Sequence, residues 1–554
     1  MADSTTGPGR FIGPVIAAVI FLGGGVALFF YPASPWLWLL TLVALALLAQ
    51  GLRDLLQHRH TLLRNYPLLA HFRWLFEFLR PFLRQYIVEN DREGRPYNRD
   101  MRSLIYERAK DQVDAKPFGS DLDAYDNEFQ VVTHSMAPRP KPDSDFRVRV
   151  GADTCARPFD VSLLNVSAMS FGSLSGPAVE ALNLGARRGG FYQDTGEGGI
   201  SPYHVRHGGD LVWEIGSGYF GCRDRDGYFD RGLFREQANR DSVRMIEIKL
   251  SQGAKPGHGG LLPAAKITEE IARTRKIPVA QDCLSPAYHT AFSTPRELLE
   301  FAASLRADSG GKPVGIKLCV GHPWEVFALC KAMLDSGIRL DFIVVDGAEG
   351  GTGAAPEEFS DHVGMPLREG LLLVRNALVG TGLRPDIRLA ASGKVYSAYT
   401  MAANLALGAD WCNAARAFML SLGCVQTKSC HNDLCPTGVA TQNPNRQRGL
   451  VIADKAPRVA NFQRHTLDHL ADLVAAAGLD HPAELLPHHL LHRRSATELI
   501  GLDKMYPFLR SGELLEDPAA TPYQEWWNAA DPDSFKPRGL VGPGHHRSAR
   551  VTPG

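Results

Sequence analysis

The chain has 554 residues, enough for a barrel-sized catalytic unit with appendages. Lys plus Arg number 60 and Asp plus Glu number 60, so charge gives no reason to expect a nucleic-acid partner. The nine cysteines are odd in number and mostly scattered, which argues against a disulfide framework and points to a reducing compartment.

Residues 11–31 carry no charge, and 36–50 are again uncharged and rich in Leu and Ala. A helix needs roughly 20 apolar residues to cross a bilayer. The first stretch is long enough, and the second becomes so with Gly51 and Leu52. Between them Pro32-Ala33-Ser34-Pro35 forces a tight reversal. Tyr31, Trp36 and Trp38 crowd that turn, where an aromatic belt belongs. A cleaved signal peptide is the competing reading, but its apolar region is shorter and no second segment follows it. The sequence therefore predicts a two-helix transmembrane hairpin over residues 1–54.

Arg53, Arg59 and Arg64 follow the second stretch, Arg10 precedes the first, and the turn has no basic residue. The positive-inside rule then places the large domain on the cytoplasmic side of the inner membrane. Residues 55–150 read as a juxtamembrane and linking helical region. Within it, 65–87 sets Arg73, Arg80 and Arg84 among Phe, Leu and Trp. That pattern fits an amphipathic helix on lipid headgroups or a helix packed on the large domain, with Pro81 kinking or interrupting it.

From about residue 155 short apolar runs alternate with helical stretches. Buried parallel strands are predicted at 161–169, 191–194, 245–250, 278–281, 313–319, 341–346, 388–392 and 411–415. Helical patterns such as 295–306 and 323–335 separate most of them. Eight such units predict an α/β fold, a (β/α)8 TIM barrel over residues 151–460. The rival is a doubly wound sheet, but no glycine-rich fingerprint follows the first strand.

In a barrel the carboxyl ends of the strands carry the chemistry. Here those ends are rich in glycine and polar groups: Ser170-Phe171-Gly172-Ser173, Thr195 to Gly199, Gln252 to Gly260, Asp346 to Gly353, Ser392-Gly393 and Asn413 to Arg416. One glycine loop is weak evidence, but so many on one rim let backbone amides approach a large, flat, phosphorylated ligand. Lys249 and Lys317 at strand ends either set positive charge beside such a ligand or are ion-paired barrel lysines.

Cys424, Cys430 and Cys435 form a C-x5-C-x4-C array. Thiolates bunched this way call for positive charge between them. A 3Fe–4S cluster fits, and so does zinc with His431 as fourth ligand; three unliganded cysteines are the plain alternative. Residues 461–516 read as a helical extension, with helices at 462–477 and 495–500. The Pro-, Gly- and Arg-rich tail, 517–554, reads as flexible.

SAMSFGSLS (167–175), DTGEGG (194–199), IKLSQGAKPGHGG (248–260), GGTGAAP (350–356) and GCVQTKSCHNDLCPTGVATQ (423–442) together resemble the FMN-binding domain of glutamate synthase. The N-terminal part, with NYPLLAHFRWLFEFLRPFLRQY, resembles the stand-alone FMN-binding glutamate synthase family proteins. The resemblance implies a TIM barrel holding FMN and a 3Fe–4S cluster on Cys424, Cys430 and Cys435. It implies reduction of 2-iminoglutarate, made from 2-oxoglutarate and ammonia, to L-glutamate. Met169, Ser170, Phe171 and Gly172 would lie along the flavin, and Gln252 and Lys317 would bond its ring. Gly350, Gly351, Ser392, Gly393, Ala414 and Ala415 would hold its ribityl and phosphate, while Glu197, Lys249 and Gln252 would face the substrate.

The sequence departs from the family pattern at His258, at Ala348-Glu349, at ASGKVYS (391–397) and at CLSPAYHTAFSTP (283–295). Residue 2 is Ala rather than a nucleophilic cysteine, and neither a C-terminal β-helix nor an NADPH-binding domain is visible. The expectation is an oxidoreductase without its own glutaminase, supplied with ammonia directly or by a separate subunit and with electrons by a ferredoxin-like or reductase partner. A second reading is a membrane-anchored amino-acid dehydrogenase passing electrons outward. A third is a non-catalytic flavoprotein scaffold, against which the retained Glu197, Lys249, Gln252, Lys317 and three cysteines argue.

Overall fold

A computed structural model describes residues 11–279 and 281–539. Ala2, Arg10, Ala280 and the tail beyond Gly539 lie outside the described residues. The chain divides into two compact units, residues 1–100 and 101–554.

In the first unit α1 (Ile12–Phe30) and α2 (Pro35–Leu56) are long and apolar enough to cross a membrane. Pro35 opens α2 at its first turn, where a missing N–H costs nothing. The Trp38 indole donates to Pro32 O at 3.0 Å across the reversal. Gly24 of α1 sits directly on Thr41 of α2, and a β-carbon there would strike the Thr41 hydroxyl. The outward faces, including Val19, Leu22, Phe29 and Trp36, are exposed. Near the end of α2, Asp54 is 1% exposed and accepts from Leu68 N at 3.0 Å, Gln50 Nε2 at 2.9 Å and His71 Nε2 at 2.8 Å.

His71 begins α3 (His71–Leu83). The helix runs through Pro81, and the irregularity appears one turn later as a π turn, Arg84–Val88. None of its residues is buried. Arg73, Glu77, Arg80 and Arg84 share one stripe by helical spacing, and most of the remaining circumference is apolar.

The second unit is built on a closed barrel of parallel strands. In order these are β1 (Leu164–Val166), β2 (Gln193–Asp194), β3 (Leu211–Ile215), β4 (Val243–Lys249), β5 (Val314–Leu318), β6 (Phe342–Asp346), β7 (Arg388–Ser392) and β8 (Trp411–Ala414). Closure is made by β8 on β1, with Cys412 opposite Leu164 and Ala414 opposite Val166. The strands are buried nearly throughout, as parallel strands covered by helices must be.

One predicted strand is corrected. Of the predicted run 278–281, Ala280 lies outside the described residues, and Pro278, Val279 and Gln281 do not enter the barrel; β3 takes the place instead. Ile277 and Pro278 follow Lys276, whose left-handed φ of 57° ends a short helix, Glu269–Arg275. They lead into a two-stranded ribbon, Leu261–Leu262 with Cys283–Leu284. The signal of β3 was weak because only a four-residue helix, Pro202–Val205, separates it from β2.

The helices around the barrel include α4 (Gly176–Gly189), α5 (Pro295–Asp308), α6 (Pro323–Ser336), α7 (Leu367–Gly380), α8 (Ala398–Ala406) and α9 (Ile452–Ala476). Capping is local and explicit: Ser175 Oγ accepts from Ala178 N at 3.2 Å, and Thr294 Oγ1 from Glu297 N at 3.2 Å. Residues 495–500 are not helical. They fall in a hairpin of Leu490–Ser495 with Glu498–Gly501, joined by Gln130–Val132 as a third strand. The flexible-tail expectation is also corrected as far as residue 539. Lys331 of α6 donates to Trp527 O at 2.6 Å and Ala530 O at 3.0 Å, and Arg296 of α5 pairs with Asp533. Tyr523 and Trp527 pack on Phe327, which a Pro/Gly count does not register.

Gly185 of α4 lies under Val459 of α9, where an added β-carbon would stand 2.5 Å from Val459 Cβ and 2.7 Å from Ala456 O. Gly185→Val is expected to force these helices apart and cost about 1–3 kcal/mol, lowering the thermal unfolding temperature followed by circular dichroism.

Candidate active site

The carboxyl ends of the barrel strands open into a cleft with roughly 1050 Å³ of empty space, its mouth included. Met169 and Ser170 line it after β1, Glu197 after β2, and Lys249 and Gln252 at and beyond the end of β4. Gly351, Thr352, Gly353 and Ala354 follow β6, and Ala415 and Arg416 follow β8. Gly196 must be glycine: its φ is +64°, and a β-carbon would stand 2.5 Å from Ser170 N. That close approach joins the loops of β1 and β2 and aims Glu197 into the cleft.

Lys249 Nζ lies 3.1 Å from Glu197 Oε1, with the two side chains 10% and 16% exposed. Burial alone would push the Glu197 carboxyl up. The Lys249 ammonium and its hydrogen bond, then Arg275 and Lys255, outweigh it and hold the group down to about 2. Ser285 Oγ donates to Glu197 Oε2 at 3.5 Å. His289 donates from Nε2 to Lys249 O at 2.8 Å, and its Nδ1 faces the Tyr219 hydroxyl at 3.2 Å. Because a carbonyl only accepts, the Nε2–H tautomer is fixed, and burial pushes the ring down to about 4, so it is neutral. Lys255, also buried, donates to Ala354 O at 3.2 Å; burial and then Lys249 lower its pKa.

Of the residues singled out in the sequence, Met169, Ser170, Glu197, Lys249, Gln252, Gly351 and Ala415 come together in this cleft. The other residues expected to hold the flavin lie behind its wall. Phe171 is buried against Tyr203, and Gly172 O accepts from Gln442 Nε2 at 3.0 Å. Gly350 N donates to Gly347 O at 2.8 Å, Ser392 Oγ meets Ser167 Oγ at 3.4 Å, Gly393 has φ 144° and Ala414 ends β8 in the core. Lys317 is buried in an ion pair with Glu214, and Lys249 is paired with Glu197, so both lysines are ion-paired and one of them also faces the cleft.

Sequence reasoning passed over Lys255, Ser285, His289, Arg275 and Glu214. The QGAKPG and CLSPAYHT motifs contain the first three, whereas Arg275 and Glu214 stand outside every glycine-rich loop. Two departures are explained. His258 is exposed, its ring beside Phe359, and Glu349 Oε2 accepts from Leu367 N at 3.0 Å at the start of α7.

The cysteine loop forms the remaining wall, with Cys430 and His431 lining the cleft. Gln426, Lys428 and Asp433 take positive φ, a strained backbone for residues with a β-carbon. Burial pushes Cys424 up to about 12 and raises Cys430, next to Cys435. At Cys435 the same burial is outweighed by the Thr437 hydroxyl, with Sγ to Oγ1 3.4 Å, and by the backbone at Ala440, Thr437 and Val439; its pKa falls. Lys266 reaches in to donate to Cys430 O at 3.2 Å. Among the described residues no three of Cys424, Cys430, Cys435 and His431 bring ligand atoms within 4.8 Å of one another.

The family model for the conserved region in glutamate synthase matches residues 120–480. The glutamate synthase large subunit-like protein YerD of Bacillus subtilis is 36% identical over 532 residues, covering 89% of this chain and 98% of its own. The archaeal glutamate synthase [NADPH] of Methanocaldococcus jannaschii is 35% identical over 57% of this chain, and the match spans 59% of that relative's length. Among solved structures, a mandelate oxidase variant aligns over 72% of this chain and 91% of its own, at 16% identity and a TM-score of 0.38. That likeness is too slight to add to the barrel itself.

Because Glu197 is held below its ordinary value near 4.5, its stabilisation is present above that pH and is lost as pH falls toward about 2. Glu197→Gln is expected to cost about 1–3 kcal/mol at pH 7, between exposed and fully buried pairs. In urea unfolding the gap from the parent protein should narrow below pH 4.

Proposed function

The chain belongs to the glutamate synthase family of oxidoreductases, and on that premise we propose that it reduces 2-iminoglutarate, formed from 2-oxoglutarate and ammonia, to L-glutamate in this cleft. The observation that carries the proposal is the ionised Glu197–Lys249 pair, sharing one cleft with a glycine-rich wall and with Cys430. An iminium substrate is cationic at nitrogen and dianionic at its two carboxylates. Glu197 supplies the fixed negative charge for the nitrogen, while Lys249, Lys255 and the Gln252 amide suit the carboxylates. Neutral His289 and Ser285 hold the Lys249 backbone and the Glu197 carboxylate, so the pair is oriented before substrate arrives.

The residues present fit FMN. Gly351 lies against Arg416, where a β-carbon would stand 2.7 Å from Cδ, and Gly353 has open space about it, a lining without bulk on the β6–β8 side. Met169, Ser170, Gln252, Gly351 and Ala415 are the residues that would hold it, with Phe171, Gly172, Lys317, Gly350, Ser392, Gly393 and Ala414 behind them. The cysteine loop fits a 3Fe–4S cluster on Cys424, Cys430 and Cys435 better than zinc. A zinc ion at about 2.3 Å from each sulfur draws its ligands to about 3.8 Å apart, whereas no three of these groups gather within 4.8 Å of one another. When bound, FMN supplies hydride transfer and the cluster supplies one-electron transfer.

The two membrane-length helices and α3 support anchoring in the inner membrane. They also favour a second reading, an amino-acid dehydrogenase that passes electrons to a membrane or ferredoxin-like acceptor. In the first reading ammonia arrives free or from a separate subunit, and electrons from a ferredoxin-like protein or a reductase.

The test is anaerobic reduction of the detergent-solubilised protein followed by optical spectra. Reoxidation of the flavin on adding 2-oxoglutarate with ammonium, with glutamate appearing, supports glutamate formation. Reduction of the oxidised protein by an amino acid, without that response, supports the dehydrogenase, and a spectrum without flavin overturns both. Lys249→Ala is expected to retain flavin and lose at least about a hundredfold in turnover. Cys430→Ser should remove the cluster's visible absorption and leave the flavin band; loss of zinc without spectral change would restore the zinc reading.

A further inference from the structure

Behind the cleft the barrel interior holds a charge cluster that the reaction above does not use. Asp194 ends β2, Glu214 lies on β3, Glu247 on β4 and Lys317 on β5. The three acids are each 1% exposed and Lys317 is 4% exposed. Their carboxylate oxygens lie within 4.8 Å of one another. Glu214 and Glu247 are partners in register on adjacent strands, an arrangement that places like charges directly opposite.

Lys317 Nζ bonds to Glu214 Oε2 and stands 3.6 Å from Glu247 Oε1, an oxygen that has no hydrogen-bond partner. Among the described residues, the neighbouring Lys249 is taken up by Glu197, and Tyr192 and Asp346 bring no further cation. Tyr192 is neutral, its hydroxyl donating to Asn413 Oδ1 at 2.6 Å, and Asp346 accepts from Gly253 N at 2.7 Å. Three ionised acids against one ammonium would leave two uncompensated negative charges among buried groups, at a high desolvation cost. The cation already present is Lys317, whose ammonium holds the position between Glu214 and Glu247.

A carboxylate oxygen of Asp194 and one of Glu247 lie within 4.8 Å of each other. Two carboxylates repel at that range, and a single proton between them turns the contact into a hydrogen bond. We propose that Asp194 and Glu247 share one proton at neutral pH, and that through Glu214, which reaches the cleft wall, this pair is a buried proton reservoir for the reaction. Burial and the Glu214 charge push Asp194 up to about 7 against the pull of Lys317, and burial with Asp194 raises Glu247 as well. Lys317 stays charged: burial alone would lower it, and Glu214, Glu247, Asp194 and Asp346 together hold it above its ordinary range.

The reservoir role rests on the proposed reaction; the shared proton does not. Converting 2-oxoglutarate and ammonium to glutamate and water takes up two electrons and two protons. The electrons come from the external reductant. One proton passes from the Asp194–Glu247 pair by way of Glu214 to the cleft and the other is taken up from solvent; solvent returns the pair's proton after turnover.

Infrared difference spectra of the purified full chain, in H2O and D2O and without substrate, test the shared proton. The expected result at pH 7 is the C=O stretch of a buried carboxylic acid, shifted down in D2O, where ordinary carboxyls are ionised. The band should vanish in Asp194→Asn and in Glu247→Gln, each an isosteric amide, and either variant alone suffices if the other does not fold. A folded parent protein with no such band at pH 7, or a band that persists in the variants, overturns the proposal. For the reservoir, Glu214→Gln should lower kcat at least about tenfold with KM little changed and shift its pH profile; unaltered kcat removes Glu214 from the path. A band that behaves as expected in a protein that makes no glutamate would leave the shared proton standing and overturn only the reaction.

Discussion

Lys249 and Lys317 are partners in register on neighbouring barrel strands, and neither ammonium has free access to water. A cation so placed is tolerated only with carboxylates at bonding distance, and the rest of the catalytic end follows from that requirement. Lys249 takes Glu197 from the loop after β2. Lys317 takes Glu214 from β3 and stands near Glu247 of β4. Two charge clusters therefore tie β2, β3, β4 and β5 together at one level. Their difference in solvent contact separates their chemistry, since the outer pair faces the cleft while the inner group is almost wholly buried and meets the cleft wall only through Glu214.

The opposite side of the barrel end solves another problem. There the chain withdraws side chains instead of pairing them. Gly253 and Gly350 stand so close that a β-carbon on Gly253 would meet Gly347 O, and Asp346 receives the Gly253 amide at 2.7 Å. The result is a lining of backbone and small residues across from a lining of charge. A flat cofactor with a charged substrate above it needs that asymmetry, and a scaffold that had lost catalysis would have no use for an ionised pair kept mostly from water.

The barrel was legible in the sequence because parallel strands buried on both faces read as short continuous apolar runs. Seven of those runs overlap observed strands, and the eighth was assigned to 278–281 because β3 lacks the long preceding helix that marks its neighbours. That miss hid Glu214, and with it the acidic cluster, whose members are spread over β2, β3 and β4 and meet only when the barrel closes. Glu197, Lys249 and the three cysteines were visible because each sits in a local motif. The hairpin at 490–501 and the packed segment before residue 539 escaped for another reason: their partners, Gln130–Val132 and helices α5 and α6, are distant in sequence.

In the first unit a similar charge requirement acts at the end of an apolar helix. Asp54 is sealed near the end of α2, and an unpaired carboxylate there would be costly. His71 Nε2, Gln50 Nε2 and Leu68 N converge on it, so the start of α3 is fixed relative to α2. From that point α3 carries Arg73, Glu77 and Arg80 on one stripe, continued by Arg84 of the π turn, with Phe72, Phe76 and Phe82 among its exposed apolar residues. Such a helix is poorly suited to water on all sides, because so much aromatic surface would be left wet. The interface of a bilayer, as in the anchoring proposed above, would satisfy both faces at once, taking the aromatic side among acyl chains and leaving the arginine stripe at the level of the phosphates. The Asp54 contacts thus do for the first unit what Glu197 does for the barrel, fixing by one buried charge the direction in which the next element must point.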